Sequence, residues 1–290
     1  MAKESRLIPG SQVADILSAA SVKLRAAGIE PARLDARLII AAATGWSREA
    51  LLLSPDRVPD DEAFGKIETM IERRANREPL SHILGRREFW SLPFKVTPDV
   101  LTPRPDSETV IEAVLAWADG RKPPLRLLDL GTGSGCLLLA LLHEFPAATG
   151  TGVDRSAAAL DVAGENAHAL GMSGRIRLRH DNWGNGLADT FDVIVANPPY
   201  IPAGDIVGLA REVAGFEPRS ALDGGADGLE AYRMLLPDVR RLLAADGLAA
   251  LEVGAGQADA VTALAAGKGL KPIGRRRDLA GIDRVVLLQG

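Results

Sequence analysis

The 290-residue sequence contains little that could bind a metal or form a covalent cross-link. Its single cysteine, Cys136, rules out an internal disulfide and a cysteine-based zinc site. Aromatic residues make up only 4% of the chain. The four histidines are scattered without metal-ligand spacing, so we expect no metal: His82, His143, His168 and His180.

The sequence also lacks an excess of positive charge. With a net charge of −4, the molecule as a whole is not suited to hold a nucleic-acid backbone. Arg275-Arg276-Arg277 is a local exception that we interpret as solvated surface. Residues 1–6 are too charged to open a signal peptide, and no apolar run reaches membrane-spanning length. We therefore expect a cytoplasmic protein.

The first 85 residues predict an N-terminal helical domain (residues 1–85). Apolar residues recur at helical spacing from Ser11 to Gly85, without a strand signal or a titratable cluster. One predicted helix runs from about Asp60 to Asn76 and has four apolar residues on one face: Phe64, Ile67, Met70 and Ile71. The pattern indicates a bundle that positions a substrate or partner and does not itself carry out chemistry.

Residues 86–106 predict a hairpin-like linker. Glu88–Trp90 and Pro93–Val96 suggest two short strands around Ser91 and Leu92. Two prolines then bracket Arg104 and hold it on a rigid loop. A structural salt bridge explains Arg104 as well as a functional role does.

Residues 107–290 begin with a predicted helix that runs to about Ala118 and is capped by Ser107 or Asp106. Strands and helices alternate after this helix. This order implies a Rossmann-like α/β fold, with a mostly parallel sheet covered by helices on both faces. The predicted strands are Leu125–Leu130, Gly150–Asp154, Ile176–Arg179, Phe191–Ala196, Leu248–Val253 and Arg284–Gln289. Further helices are predicted at Gly135–Glu144, Ala157–Leu170, Leu229–Ala244 and Ala258–Lys268.

The most informative stretch is the strand Phe191–Ala196 and the Asn197-Pro198-Pro199-Tyr200 elbow that ends it. Neither proline can donate a backbone hydrogen bond, and together they stiffen the turn. The side-chain carbonyl of Asn197 and the main-chain carbonyl of Pro198 are acceptors, and Tyr200 adds a flat ring. Such a group can hold a planar –NH2 by both hydrogens and one face. The alternative is an ordinary Asn-Pro turn.

A glycine-rich turn follows the predicted strand Leu125–Leu130. Its residues are Gly131-Thr132-Gly133-Ser134-Gly135. Glycines let a ligand approach the backbone without a Cβ clash, although such a turn is by itself a weak signal. The spacing differs from the G-x-G-x-x-G of dinucleotide sites, and the absence of lysine excludes a P-loop.

Acidic and aromatic residues follow the next two strands. Asp154, 23 residues beyond Gly131, lies where a carboxylate binds the ribose hydroxyls of an adenosine. The alternative for Asp154 is a helix N-cap, a role for which Ser156 competes. Asp181 can accept from an adenine amino group, and Trp183 either packs on the adenine or fills core. This order of features suits an S-adenosylmethionine (SAM) methyltransferase.

With these motifs, the sequence resembles the release-factor glutamine methyltransferases, the HemK/PrmC family, along nearly its whole length. One departure is Asn182, which separates Asp181 from Trp183 where we expect them to be adjacent. The motifs that carry the resemblance are Gly28-Ile29-Glu30, Leu34-Asp35-Ala36, Pro79–Gly85, Glu88-Phe89-Trp90, Pro103–Asp106, Gly131–Gly135, Asp154, Asn197–Tyr200, Phe216-Glu217-Pro218, Leu222–Gly225, Asp227-Gly228-Leu229 and Ala280–Arg284.

The resemblance implies a class I SAM-dependent methyltransferase domain that methylates N5 of the glutamine in the Gly-Gly-Gln motif of class-1 peptide chain release factors. It implies SAM as cofactor, S-adenosyl-L-homocysteine as product, and no metal. The implied catalytic residues are Asn197, Pro198 and Tyr200, which with Pro199 also bind the substrate. The implied cofactor-binding residues are Gly131, Thr132, Gly133, Ser134, Gly135, Asp154, Asp181, Trp183 and Asn197.

Other functional hypotheses remain open on the sequence alone. A relative that methylates a ribosomal-protein glutamine would have a similar sequence. Adenine-N6 DNA methyltransferases share the Asn-Pro-Pro-Tyr motif, but they require a basic groove or a target-recognition domain, against which the net charge argues. A non-catalytic SAM-binding protein would have no use for the elbow. We expect a monomer that contacts neither nucleic acid nor membrane.

Overall fold

The computed structural model describes residues 6–120 and 125–290, so residues 1–5, which make up most of the charged N-terminal segment, lie outside the described residues. The helices are α1 (Val13–Ala26), α2 (Ala32–Thr44), α3 (Arg48–Leu53), α4 (Asp61–Ala75), α5 (Leu80–Leu84), α6 (Glu108–Ala118), α7 (Cys136–Glu144), α8 (Ala157–Ala169), α9 (Arg211–Ala214), α10 (Glu230–Leu242) and α11 (Ala258–Gly267). The strands are β1 (Arg86–Phe89), β2 (Leu92–Lys95), β3 (Arg126–Leu130), β4 (Thr149–Asp154), β5 (Ile176–His180), β6 (Phe191–Ala196), β7 (Leu243–Glu252), β8 (Lys271–Arg277) and β9 (Asp283–Gln289).

The chain divides into two compact units. The first contains Met1–Gly85 and Ala210–Phe216, and the second contains Arg86–Leu209 and Glu217–Gly290. The predicted linker, residues 86–106, therefore groups with the second unit. There the β1–β2 hairpin buries Phe89 and Phe94, whose rings meet edge to face with centroids 6.2 Å apart.

The first unit is a helical bundle, as its periodicity predicts. Helix α4 begins at the cap residue Asp60, whose side chain accepts from Ala63 N at 2.8 Å. The apolar face of α4 is buried, with Met70 partly buried at its margin. Residues from α1, α2 and α4 that share this core include Ile16, Leu24, Ile39, Ile40, Phe64, Ile67 and Ile71.

A buried arginine holds a sequence-distant helix in the first unit. Arg74 is 7% exposed and donates to Asp35 Oδ2 at 2.8 Å and to Glu212 Oε1 at 3.2 Å. Arg77 donates to the other carboxylate oxygen of Glu212 at 2.9 Å. Glu212 lies on α9, which the chain reaches only after β6. The sequence pattern contains no signal for this pairing.

The second unit is built on a seven-stranded sheet of order β5-β4-β3-β6-β7-β9-β8. Strands β3 to β7 are parallel, whereas β9 runs antiparallel to both β7 and β8. Successive residues of β3 face opposite sides: Leu127 packs with α6 and α7, and Leu128 packs with α10 and α11. The predicted Rossmann-like fold is confirmed.

The strand order reverses between β3 and β6. These two strands are adjacent and parallel, but β3 is followed by β4 on one side and β6 by β7 on the other. In open α/β sheets, ligands bind in the crevice beyond the carboxyl ends of the strands at such a point. The glycine turn follows β3 and Asn197 follows β6, so both border the crevice.

Strand β8 is missing from the predicted set. It forms an edge of the sheet, most of its residues are exposed, and Arg275–Arg277 interrupts any apolar pattern. Arg275 and Arg277 form ion pairs with Asp283 on β9, so this basic run is only partly the solvated surface we expect. Within the described residues, no helix combines the length and apolarity needed to span a membrane.

We expect Arg74→Ala to lower the free energy of unfolding of the first unit by about 3–5 kcal/mol, because the buried Asp35 loses its charge partner. Urea denaturation followed by far-ultraviolet circular dichroism measures the change. Arg73→Ala is the matched control: Arg73 pairs with Glu78, its side chain is 42% exposed, and we expect a cost below about 1 kcal/mol. Equal costs for both variants would contradict a special role for Arg74.

Candidate active site

A cavity of about 670 Å³ lies beyond the carboxyl ends of β3, β4 and β6. This volume is within the range of sites for small molecules and cofactors. Nine of the twelve predicted site residues line it: Gly131, Thr132, Gly133, Ser134, Asp154, Trp183, Asn197, Pro198 and Pro199. The structure thus brings residues from four separate loops to one place.

The glycine turn forms one wall of this cavity. Gly131 and Gly133 have positive φ angles, which glycine adopts without Cβ strain. The Gly133 N–H donates to Asp154 Oδ2 at 2.9 Å and thereby ties the turn to the end of β4. A Cβ on Gly131 would lie 3.5 Å from the Trp183 ring, so the indole packs against the turn.

Asp154 is available for a ligand because Ser156 caps the helix that follows. The Ser156 hydroxyl accepts from Ala159 N at 3.2 Å at the start of α8, and Asp154 Oδ1 accepts from Ser156 N at 2.9 Å. The N-cap of α8 is therefore Ser156 and not Asp154. Since a carboxylate has about four acceptor positions, Asp154 retains capacity for two hydroxyl donors.

The structure does not bring Asp181 to the cavity. Its Oδ2 lies 3.6 Å from the Arg179 guanidinium, and its Oδ1 accepts from Asn182 N at 2.9 Å. Asn182, the inserted residue, lines the cavity beside Trp183. In the sequence, Asn182 stood out only because it separates Asp181 from Trp183. Trp183 is half-buried, packs on the core beside α10, and has an Nε1 without an acceptor among the described residues.

Two further predicted residues, Gly135 and Tyr200, are not among the residues that line the cavity. Gly135 lies at the start of α7, where a Cβ would come within 3.1 Å of Leu139. Tyr200 is half-buried against the core, and its hydroxyl donates to Glu252 Oε1 at 3.5 Å. The Tyr200 side chain therefore packs on the core and contacts Glu252.

Two residues next to the elbow were not predicted as site residues. Ser107 does not cap α6 with its side chain; its Oγ accepts from Asn197 Nδ2 at 3.2 Å. Glu252 ends β7 and is 1% exposed; its Oε1 lies 3.5 Å from the Tyr200 hydroxyl, and its Oε2 has no hydrogen-bond partner among the described residues. The sequence signal for Glu252 is a single charged residue inside the apolar run Leu248–Val253.

Burial raises the pKa of two carboxyl groups near the crevice to about 7. For Asp129, desolvation outweighs a 2.7 Å hydrogen bond from Thr132 Oγ1, and the charge of Asp154 adds to the increase in pKa. For Glu252, desolvation outweighs the nearby Ser107 hydroxyl and the charge of Arg284, both of which lower the pKa. Both carboxyls thus change charge near neutral pH.

Arg104 lines the cavity and donates to Glu217 Oε2 at 2.5 Å. Burial raises the pKa of Glu217, while the Arg104 charge opposes that change. The structural salt bridge considered for Arg104 is therefore present. Burial also raises the pKa of Cys136 to about 12, which keeps the thiol protonated and makes it a poor nucleophile.

Known proteins and domain families match this chain over nearly its whole length. Residues 15–85 match the PrmC N-terminal domain, and residues 118–211 match the methyltransferase small domain. The chain is 46% identical to a release factor glutamine methyltransferase from Rhodospirillum rubrum, over 99% of this chain and 86% of the relative. This chain belongs to the release factor glutamine methyltransferase family. A second member, from Caulobacter vibrioides, is 46% identical over 93% of both chains.

Solved structures share the family's fold. The catalytic domain of hMettl16 superposes with a TM-score of 0.55 at 16% identity, covering 76% of this chain and 81% of that one, which shows the methyltransferase fold alone. Membership of the family implies SAM as the methyl donor. The site fits that ligand: Asp154 has free acceptor capacity, and the buried Asp129 Oδ1 at the cavity has no hydrogen-bond partner among the described residues.

Metal ligands are not grouped anywhere in the described part of the chain, since no three His, Cys, Asp or Glu side chains there are placed to hold an ion.

We expect Asp129→Asn to flatten the pH dependence of stability. Because folding raises the pKa of Asp129 from 3.8 to about 7, the folded state holds a proton that the unfolded state has lost between these values. Stability is therefore highest at acidic pH and falls as pH rises towards 7, by an amount on the order of 4 kcal/mol.

Thermal denaturation without SAM between pH 5 and pH 8 measures this effect. The Tm of the wild type is expected to fall more steeply with pH than that of Asp129→Asn, because asparagine does not ionise. Asp161→Asn, at an exposed position on α8, is the control and should follow the wild type. Parallel curves for the wild type and Asp129→Asn would contradict the prediction.

Proposed function

We propose that this protein transfers a methyl group from SAM to the side-chain amide nitrogen (N5) of the glutamine in the Gly-Gly-Gln motif of class-1 peptide chain release factors. The proposal rests on one observation above all. A single cavity is lined by both the glycine turn after β3 and the elbow residues Asn197 to Pro199 after β6, in a chain of this family.

The elbow offers the acceptors that a carboxamide nitrogen needs. Asn197 Nδ2 donates to Ser107 Oγ, which leaves Asn197 Oδ1 for another donor. The Pro198 carbonyl is the second acceptor. A carboxamide nitrogen is a poor nucleophile because its lone pair is delocalised into the carbonyl. Acceptors for both N–H bonds favour the pyramidal, partly positive nitrogen of the transition state over the planar ground state.

For SAM, we propose that the glycine turn receives the amino-acid part and that Asp154 accepts from the ribose hydroxyls. SAM supplies an electrophilic methyl group on a sulfonium. On the adenine side, the contacts favour Asn182 and Trp183 over Asp181, because the Asp181 carboxylate faces Arg179. Gly135 supports the turn through its packing at the start of α7.

Tyr200 is proposed to support the plane of the substrate amide, with its ring held by the hydroxyl bond to Glu252. No general base is required in this scheme. A methylated, positively charged amide is strongly acidic and loses its proton to water after transfer. The elbow therefore contributes orientation and electrostatic stabilisation of the attacking nitrogen.

We propose that the first unit positions the release factor and that the enzyme acts as a cytoplasmic monomer. Residues 15–85 of this unit match the PrmC N-terminal domain. Its surface carries large apolar side chains that are available to a protein partner: Ile8, Leu34, Leu52, Leu53 and Val58.

We expect Asn197→Ala to reduce the kcat of methyl transfer by about two orders of magnitude or more while SAM affinity changes only a few-fold, since a transition-state hydrogen-bond partner is lost. Steady-state kinetics on release factor and calorimetric SAM titration separate the two effects. Asn185→Ala, at an exposed position, is the control. Equal losses of SAM affinity and kcat would be inconsistent with this role for Asn197.

The substrate assignment is tested by mass spectrometry of purified release factor after incubation with the enzyme and SAM. We expect a gain of one methyl group confined to the Gly-Gly-Gln peptide. Release factor in which that glutamine is replaced by alanine should gain none. Methylation of adenine in DNA or RNA, with no gain on the release factor, would overturn the assignment.

A further inference from the structure

The side chain of Asn166 on α8 bonds to two separate segments of the second unit. Asn166 is 1% exposed, and its Oδ1 accepts from Lys95 N at 2.7 Å. Its Nδ2 donates to Lys95 O at 3.1 Å and to Ser134 O at 2.9 Å, so both amide hydrogens are used. Burying an asparagine costs free energy unless its amide is hydrogen-bonded, and here all three bonds are made to main-chain atoms.

These three bonds require one orientation of the Asn166 amide. The Lys95 N–H is a donor and faces Oδ1, whereas the carbonyls of Lys95 and Ser134 are acceptors and face Nδ2. A flipped amide would place like groups against each other at all three contacts. Because Lys95 ends β2 in a two-stranded sheet, the amide bonds to this strand as a neighbouring strand would.

On the side of the glycine turn, Asn166 helps to fix one peptide plane. The Ser134 carbonyl accepts from Asn166, and the N–H of Gly135 donates to Thr132 O at 2.8 Å. That carbonyl and that N–H belong to the same planar peptide, so its orientation is set at both edges. Ala163, on the same face of α8, lies 3.4 Å from the position of a Cβ on Gly135, so the helix packs directly against the turn.

The segment that follows Lys95 forms a second part of the cavity wall and is held by the same helix. Val100 lines the cavity and belongs to a small buried cluster with Ala159 and Val162 of α8. Helix α8 therefore packs against the glycine turn and against the segment after β2, and Asn166 is hydrogen-bonded to both. The β1–β2 hairpin thus fixes the direction of the amide that holds the turn.

We propose that Asn166 is a positioning residue for SAM, which holds the glycine turn, through Ser134, in the conformation that receives the cofactor. The inference rests on the proposed function, in which this turn receives the amino-acid part of SAM. Asn166 is not among the residues that line the cavity, so it acts through the main chain of the turn and not by contact with SAM. Its bonds do not include the elbow, so methyl transfer proceeds normally once SAM is bound.

The test compares Asn166→Asp and Asn166→Ala with the wild type by calorimetric SAM titration and by steady-state kinetics on release factor. Aspartate keeps an acceptor for the Lys95 N–H but loses both donors, and alanine removes all three bonds. We expect each variant to raise the Kd and the KM for SAM about tenfold or more, because a buried carbonyl of the turn loses its donor. The kcat at saturating SAM and the KM for release factor should stay within about threefold of wild type.

Two controls separate positioning of the turn from general destabilisation. Glu165→Gln removes the exposed ion pair with the Lys95 side chain, next to Asn166, and should bind SAM as the wild type does. Val261→Ala removes buried methyl groups in α11, a helix that does not bond to Asn166. We expect Val261→Ala to lower Tm to a similar extent as the Asn166 variants while leaving the Kd for SAM unchanged.

The positioning role is refuted if both Asn166 variants bind SAM with the wild-type Kd, if kcat at saturating SAM falls as much as the KM for SAM rises, or if Val261→Ala weakens SAM binding equally. Loss of the fold in both Asn166 variants would also overturn it, since the role assigned to Asn166 is local to the turn. A wild-type protein that does not bind SAM or methylate release factor would contradict the proposed function instead.

Discussion

The pairing of β3 with β6 is the interaction on which the site depends. In the parallel register, Asp129 lies opposite Val195, so the two strands end level with each other. Gly131 and Asn197 each follow two residues later, on strands about 5 Å apart. A shift of register would separate the glycine turn from the elbow and remove the cavity that joins them.

The cost of this arrangement is buried charge at the ends of the strands. Asp129 and Glu252 are each 1% exposed and have pKa values raised to about 7. Such groups oppose folding when ionised, because a buried charge is poorly solvated. The apolar cores on both faces of the sheet offset this free-energy penalty. Asp129 lines the cavity and Glu252 contacts Tyr200 of the elbow, which fits a general pattern in which functional sites are less stable than the rest of a fold.

The regular elements of the second unit were largely predictable because their signals are local. Strand β6 has the predicted bounds, and α8 and α11 each end one residue before the predicted end. The edge strand β8 escaped prediction because its side chains are mostly polar and exposed. The assignment of Asp181 to the adenine side stays a prediction, since that carboxylate lies away from the cavity, whereas Asn182 lines it.

By itself, the sequence determined the elbow, the glycine turn and the alternation of strands and helices. These depend on backbone restrictions of proline and glycine and on apolar periodicity, which act within a few residues. Only the tertiary structure decided that Ser107 lies against Asn197 and that Glu252 lies beside Tyr200. They belong to segments far apart in the chain, and the direction of a hydrogen bond is set by the neighbours that folding brings together.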